Sequence, residues 1–299
     1  MDLYGRLPEE RMNRLHPFTA FVYYAGALTM LILFQHPAFL LAGFAAVLVL
    51  NYVQDRGKGL RRWLFFLITS GVLILVINPL FNERGRHVLF HIGDHRITQE
   101  AVTLGFMSAL SIIGIIALFV SYNEIMTPNK LLFLFARVTP QFAILLMLTL
   151  RFIPLMRRRL EEISAVQASK GISLKTGTLR DRAKNGMSYI QALLVFSLEE
   201  AIQTADSMKA RAYGTRKRSA YHHFRFKVID MVSLALLAVF FITAIFGRIK
   251  GWGLLAIYPV MEPFSLSIQD GIAFIGFLLF IGYPIIIELK GAFGWRTSN

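Results

Sequence analysis

Long apolar runs alternate with short polar connections along most of this chain. Runs at 17–35, 37–53, 62–80, 101–121, 229–247 and 271–289 each have about the length a helix needs to cross a hydrocarbon core of ~30 Å. Six membrane-spanning helices are therefore predicted. Gln35-His36-Pro37 is a tight turn between the first two, with proline at the start of the second helix, where a missing N–H breaks no helical bond. The pattern changes between 131 and 155. There Pro140 divides the apolar stretch into Leu131–Val138 and Phe142–Pro154, each too short to cross well. A broken, membrane-embedded or interfacial helical hairpin is expected, returning the chain to the side it left.

Beyond Pro154 the period is helical but polar. Met156, Leu160, Ile163 and Val166 are spaced 4, 3 and 3, one face of a helix. Arg157–Glu161 and Arg158–Glu162 are expected i,i+4 pairs on the other side, worth ~0.3 kcal/mol each. Gly171 ends this helix in the left-handed conformation common just past a C-terminus. A second helix over 189–213 repeats the design. Leu194, Leu198, Ala201, Ala205 and Met208 form its apolar face, opposite Glu199, Glu200, Gln203, Asp206 and Lys209. Each helix ends on a cation, Lys170 in Ser169-Lys170-Gly171 and Arg211 in Ala210-Arg211-Ala212. A cation there suits the helix dipole, and such a charge often serves only as a solvated helix end. Between the third and fourth spans, Val88–Ile92 and His95–Thr98 flank Gly93-Asp94, which reads as a two-residue β-turn.

Charge fixes the expected orientation. Of the net +14, a surplus of ten lies between Arg151 and Lys227, where 16 Lys and Arg stand against 6 Asp and Glu. Such a segment is cytoplasmic by the positive-inside rule. So is the connection 54–62, with Arg56, Lys58, Arg61 and Arg62. The N-terminus is then cytoplasmic, and 81–100 and 248–270 are outside. Four spans return the chain to the cytoplasm near Tyr122, so 131–155 has to fold back; a single crossing at 131–150 would place the basic block opposite 54–62. The first run reads as a retained helix, since no small-residue cleavage site follows it. The expected fold is an all-α polytopic membrane protein of about six transmembrane helices. A cytoplasmic helical domain is inserted before the last two spans. Its divisions are a membrane domain 1–130, broken interfacial and cytoplasmic helices 131–228, and C-terminal spans 229–299.

Several chemistries are missing. There is no cysteine, hence no disulfide or thiolate site. Arg56-Gly57-Lys58-Gly59 falls short of the phosphate-binding loop pattern, and no HExxH occurs. No cofactor, metal or catalytic residue is assigned, and no nucleic-acid-binding motif accompanies the basic block. The spans carry almost no ionisable residues; Asp230 and Glu288 lie at their ends, which argues against ion-coupled transport by the chain alone. His87, His91 and His95 are spaced by four and would stack on a helix, but a hairpin breaks that geometry. Two alternatives stay open: a membrane-bound metal-dependent enzyme using these histidines with Asp94, and a self-contained carrier.

Leu148-Thr149-Leu150-Arg151-Phe152-Ile153-Pro154-Leu155, then Glu161, Ile163, Gln167 and Ser169-Lys170-Gly171, resemble the transmembrane T subunit of energy-coupling factor (ECF) transporters, the CbiQ-like family. The second match runs from Ser197-Leu198-Glu199-Glu200-Ala201 to Met208-Lys209-Ala210-Arg211-Ala212-Tyr213-Gly214. Pro37, Gly93 and Thr127-Pro128 also fall where the family has similar features. The resemblance covers roughly 14–247, and the span 271–289 looks like an addition. Members carry two Ala-Arg-Gly motifs at these places. Here the first keeps charge but not the guanidinium fork, and the second keeps arginine but loses glycine. The resemblance implies a non-catalytic scaffold in a prokaryotic plasma membrane. Ser169, Lys170, Gly171, Ala210, Arg211 and Ala212 would couple it to two cytoplasmic ABC ATPases, identical or different. Their ATP-driven motion would pass to one small membrane S subunit that binds a vitamin, a vitamin precursor or a transition-metal ion.

Overall fold

The computed structural model describes residues 15–82, 85–92, 95–172, 177–215, 224, 226–255, 257 and 267–296. The chain forms two compact units, 1–130 with 224–299, and 131–223. The first holds α1 (Pro17–Leu33), α2 (Pro37–Asp55), α3 (Lys58–Phe81), β1 (Val88–Ile92), β2 (His95–Thr98) and α4 (Gln99–Ile125). It also holds two later helices, α8 (Val228–Ile249) and α9 (Ile268–Arg296).

α1 and α2 begin with the same device. Each opens on His-Pro, and the ring Nδ1 of His16 or His36 accepts the N–H two residues on, from Phe18 or Ala38, at 3.2 Å. Proline occupies the first helical position in both. At the start of α8, Asp230 accepts from Lys227 N–H through one oxygen and from His16 N–H through the other, each at 2.9 Å. The beginnings of α1 and α8 are thereby tied together. The His16 ring stacks on Phe226 at 3.8 Å.

Glycines let aromatic side chains into the helix contacts. A Cβ added at Gly43 of α2 would lie 2.9 Å from Phe277, and one at Gly26 of α1 would overlap Phe280. Phe34, Phe39, Phe277 and Phe280 are all fully buried. The terminal helix, set apart by sequence, therefore packs into the centre of this unit through Phe277 and Phe280. Polar side chains join the helices elsewhere, as expected where interhelical hydrogen bonds replace a hydrophobic drive. Ser121 donates to Gln54 Oε1 at 2.6 Å and lies 2.8 Å from the Tyr24 hydroxyl. Asn51 donates to the carbonyls of Val47 and Ala117.

β1 and β2 pair antiparallel as predicted, and the Gly93-Asp94 turn lies outside the described residues. The buried Glu100 receives N–H groups of Arg86 and His87 at 3.1 and 3.2 Å, seating the loop on the start of α4.

The second unit contains most of α5 (Pro128–Val138), with α6 (Pro140–Ser169) and α7 (Leu179–Ala210). The predicted break at Pro140 is present, between α5 and α6. The apolar piece Phe142–Pro154 and the polar helix read beyond it are one element, because α6 runs unbroken for 30 residues with Pro154 inside it. Proline there removes one backbone bond, and the helix-forming Leu, Met, Arg and Glu on both sides carry the helix through. α6 is therefore long and apolar enough in its first part to qualify as a span. Among the described residues the six helices that qualify are α2, α3, α4, α6, α8 and α9, while α1, at 17 residues, is shorter. Glu162 pairs with Arg159 at 2.6 Å, an i,i+3 contact in place of the expected partner Arg158.

Candidate functional site

The two triplets singled out by sequence stand at equivalent positions of two helix ends. Ser169 and Ala210 are the last residues of α6 and α7, Lys170 and Arg211 are the C-caps, and Gly171 and Ala212 follow. Both ends close with one hydrogen-bond pattern. Ile172 N–H returns to the Gln167 carbonyl and Gly171 N–H to Ala168, each at 3.0 Å. Tyr213 N–H returns to Met208 at 3.0 Å and Ala212 N–H to Lys209 at 2.9 Å. This closure needs a left-handed residue just after the cap. Gly171 supplies it at φ 77°, and Ala212 supplies it at φ 60°. An alanine in that conformation is uncommon, since its Cβ crowds the following carbonyl. Sequence comparison with an Ala-Arg-Gly motif registers only the lost glycine. The signal for the conformation was the parallel position of Ala212 and Gly171 after the two cations.

All six residues are exposed. Ser169 folds its hydroxyl back onto the Val166 carbonyl at 2.7 Å. Lys170 and Arg211 therefore stand at the carbonyl ends of their helices, where the dipole is negative and a cation is favoured.

α7 starts as firmly as it ends. Thr178 and Asp181 form a reciprocal capping box. The Thr178 hydroxyl, 2.6 Å from Asp181 Oδ2, and the Thr178 N–H hold the Asp181 carboxyl below the ordinary carboxylate range. Contacts tie α6 and the turn that follows it to α7. The Arg159 guanidinium lies 4.4 Å from the Phe196 ring centre, a cation–π contact, and the Tyr189 hydroxyl donates to the Ile172 carbonyl at 3.0 Å. The two triplets are not brought together. Ile172 adjoins Tyr189, and Arg211 lies about 33 Å farther along α7 at ~1.5 Å per residue.

Among the described residues nothing covers most of the predicted apolar face of α7, and Met208 is half-buried. Leu194, Leu198, Ala201 and Ala205 are exposed. With Met187, Ile190 and Ile202 they line one side, from 54% exposed at Ile190 to 65% at Leu198.

His87 Nδ1 lies 3.0 Å from Glu100 Oε1, His91 is exposed on β1, and the His95 side chain lies outside the described residues. Among the described residues no three His, Cys, Asp or Glu converge as a metal site.

Apolar helices long enough to cross a membrane, from α2 to α9 among the described residues, define an all-α multi-pass membrane protein. The chain matches the family described as CbiQ, cobalt transport protein, over residues 10–223, and it belongs to that family. It is a plasma-membrane protein of prokaryotic type. Among its relatives is a protein named energy-coupling factor transporter transmembrane protein EcfT in Exiguobacterium sibiricum, 30% identical over 200 residues, covering 61% of this chain and 74% of that one. A protein of the same name in Staphylococcus aureus is 25% identical over 194 residues, covering 60% and 69%. A shorter similarity, 30% over 111 residues, links 37% of this chain to 26% of an uncharacterized Mycoplasma pneumoniae protein.

Proposed function

We propose that this chain is the transmembrane coupling subunit of an ECF-type ABC importer. The unit 131–223 engages two cytoplasmic cassette ATPases through the Lys170 and Arg211 turns. ATP is hydrolysed in those partner chains, and their closure displaces α6 and α7. The displacement passes to a substrate-binding membrane S subunit, for which the exposed apolar side of α7 offers a surface. The solute is a vitamin, a vitamin precursor or a transition-metal ion, chosen by the S subunit.

The observation that carries this reading is the recurrence of one turn. Two helices in one unit end in the same hydrogen-bonded closure with an exposed cation at the same position, although their sequences differ. A chain without a recognisable catalytic motif has a use for two such turns if two similar sockets receive them. Lys170→Glu with Arg211→Glu tests it. Truncating or reversing a charge buried against a carboxylate costs about 2–5 kcal/mol, so ATPase affinity should fall at least ~30-fold while membrane insertion persists. Co-purification of the ATPases with the double variant at wild-type yield would refute the assignment.

A further inference from the structure

Tyr189 is the one residue of α7 that the fold buries, with 2% of its surface exposed. Its hydroxyl donates to the carbonyl of Ile172, the residue that closes the Lys170 turn. The Ile172 residue is thus held on both sides. Its N–H returns to Gln167 of α6, and its carbonyl is bound by α7. The first bond belongs to the turn itself and says nothing of where the turn points. The second fixes the turn against a different helix.

We propose that Tyr189 is a positioning residue that pins the Lys170 turn to α7, so that the two cationic turns move as one body. α7 is a single uninterrupted helix of 32 residues, about 48 Å long at ~1.5 Å per residue. It carries Arg211 at its end and, through Tyr189, holds the other turn near its beginning. The Arg159–Phe196 contact lies on the Arg211 side of Tyr189 and keeps α6 from swinging away there. The Tyr189 bond lies closer to the Lys170 turn and acts on the turn itself. A displacement applied to either turn is then felt by the whole α6–α7 frame. Without the pin, the Lys170 turn would yield locally and the displacement would be dissipated.

The pin itself is independent of partners, and its consequence rests on the coupling function proposed above. The variant is Tyr189→Phe, which keeps the ring and its packing and removes only the donor. Ser197→Ala, which removes an exposed hydroxyl that bonds within α7 itself, is the control. On the purified full chain, hydrogen exchange of the peptide containing Gly171 and Ile172 should quicken about fivefold in Tyr189→Phe, the loss of a typical hydrogen bond, and stay unchanged in Ser197→Ala. In the transporter assembled with its ATPases and S subunit, Tyr189→Phe should retain ATPase binding and ATP hydrolysis while solute taken up per ATP falls several-fold. Unchanged exchange at Gly171 and Ile172 overturns the pin. Faster exchange with unchanged uptake per ATP overturns its role in coupling, as does an equal loss in Ser197→Ala. If instead the Lys170→Glu, Arg211→Glu double variant binds ATPases normally, the coupling function fails, and the exchange measurement on the chain alone still decides the pin.

Discussion

Ala212→Gly replaces a strained backbone residue with one that adopts the same conformation freely. At φ 60° an alanine carries a steric cost of roughly 1–2 kcal/mol. Glycine escapes it but loses more chain entropy on ordering, about 0.5–1 kcal/mol. The net effect is a turn stabilised by about 0.5–1 kcal/mol, a twofold to fivefold shift in the local opening equilibrium. Gly171→Ala is the mirror experiment, and a clean one. Among the described residues, its chain neighbours apart, no atom lies within 4 Å of a Cβ built there, so the same backbone term enters with opposite sign. Hydrogen exchange of the full chain in detergent reads both, because the amides that close the turns, those of Gly171, Ile172, Ala212 and Tyr213, are themselves the reporters. Protection at Ala212 and Tyr213 should rise in Ala212→Gly, and protection at Gly171 and Ile172 should fall in Gly171→Ala. No change in either variant would mean that the left-handed residues do not limit these turns, and the comparison of the two closures would be wrong.

Acid should loosen the start of α7. The Asp181 carboxyl is held low by the Thr178 hydroxyl and N–H, so its contribution is present above the unfolded value of about 3.9 and is lost as pH falls through the lower folded value. Exchange in a peptide spanning 177–185 should quicken across that window in the wild type, and Asp181→Asn should abolish the dependence. Burial lowers the pKa of His36, with Asp270 opposing. The stability linked to its neutral ring is complete above about 6.5 and is lost as pH falls through the folded value, since protonation removes the acceptor that caps α2. Thermal unfolding in detergent between pH 7 and pH 5 should show that loss, and His36→Asn, which caps without titrating, should not. Gly26→Ala drives a methyl into the Phe280 ring and should cost about 1–3 kcal/mol. Phe280→Leu in that background should recover part of the loss, and strict additivity of the two changes in thermal denaturation would contradict the slot.

Much of this architecture was legible because the signals are local. Apolar runs give spans, His-Pro gives the starts of α1 and α2, and alternation gives β1 and β2. The failures came where a local signal competes with its surroundings or where the relevant partner is far along the chain. Pro140 and Pro154 carry the same breaking tendency, yet only Pro140 ends a helix. Pro154 removes one bond inside a helix of 30 residues, and strong helix formers on both sides outweigh it. The fit of Phe280 against Gly26 joins residues at opposite ends of the sequence, and neither residue announces the other. Glu162 has arginines three and four residues before it, and the helix period allows both; the bond to Arg159 is selected as Arg159 turns toward Phe196 on α7.

The site was legible in its charges and hidden in its backbone. By residue type the two triplets agree only in their cation. In three dimensions they agree in everything that sets where the cation stands: the cap position, the left-handed residue and the return bond from the next amide. At the second turn this geometry persists without the glycine that makes it easy, and the neighbours explain how. The Ala212 carbonyl accepts from the Thr215 hydroxyl at 2.8 Å and from its N–H at 3.2 Å, while Gly214 takes the next left-handed position at φ 89°. Strain at a single residue survives when the surroundings over-determine it, and here two bonds from one threonine hold the alanine in place. Substitution of Thr215 by valine should therefore loosen the Arg211 turn more in the wild type than in Ala212→Gly, where no strain remains to be held. Equal loosening in both backgrounds, read by exchange at Ala212 and Tyr213, would show that Thr215 does not restrain the alanine.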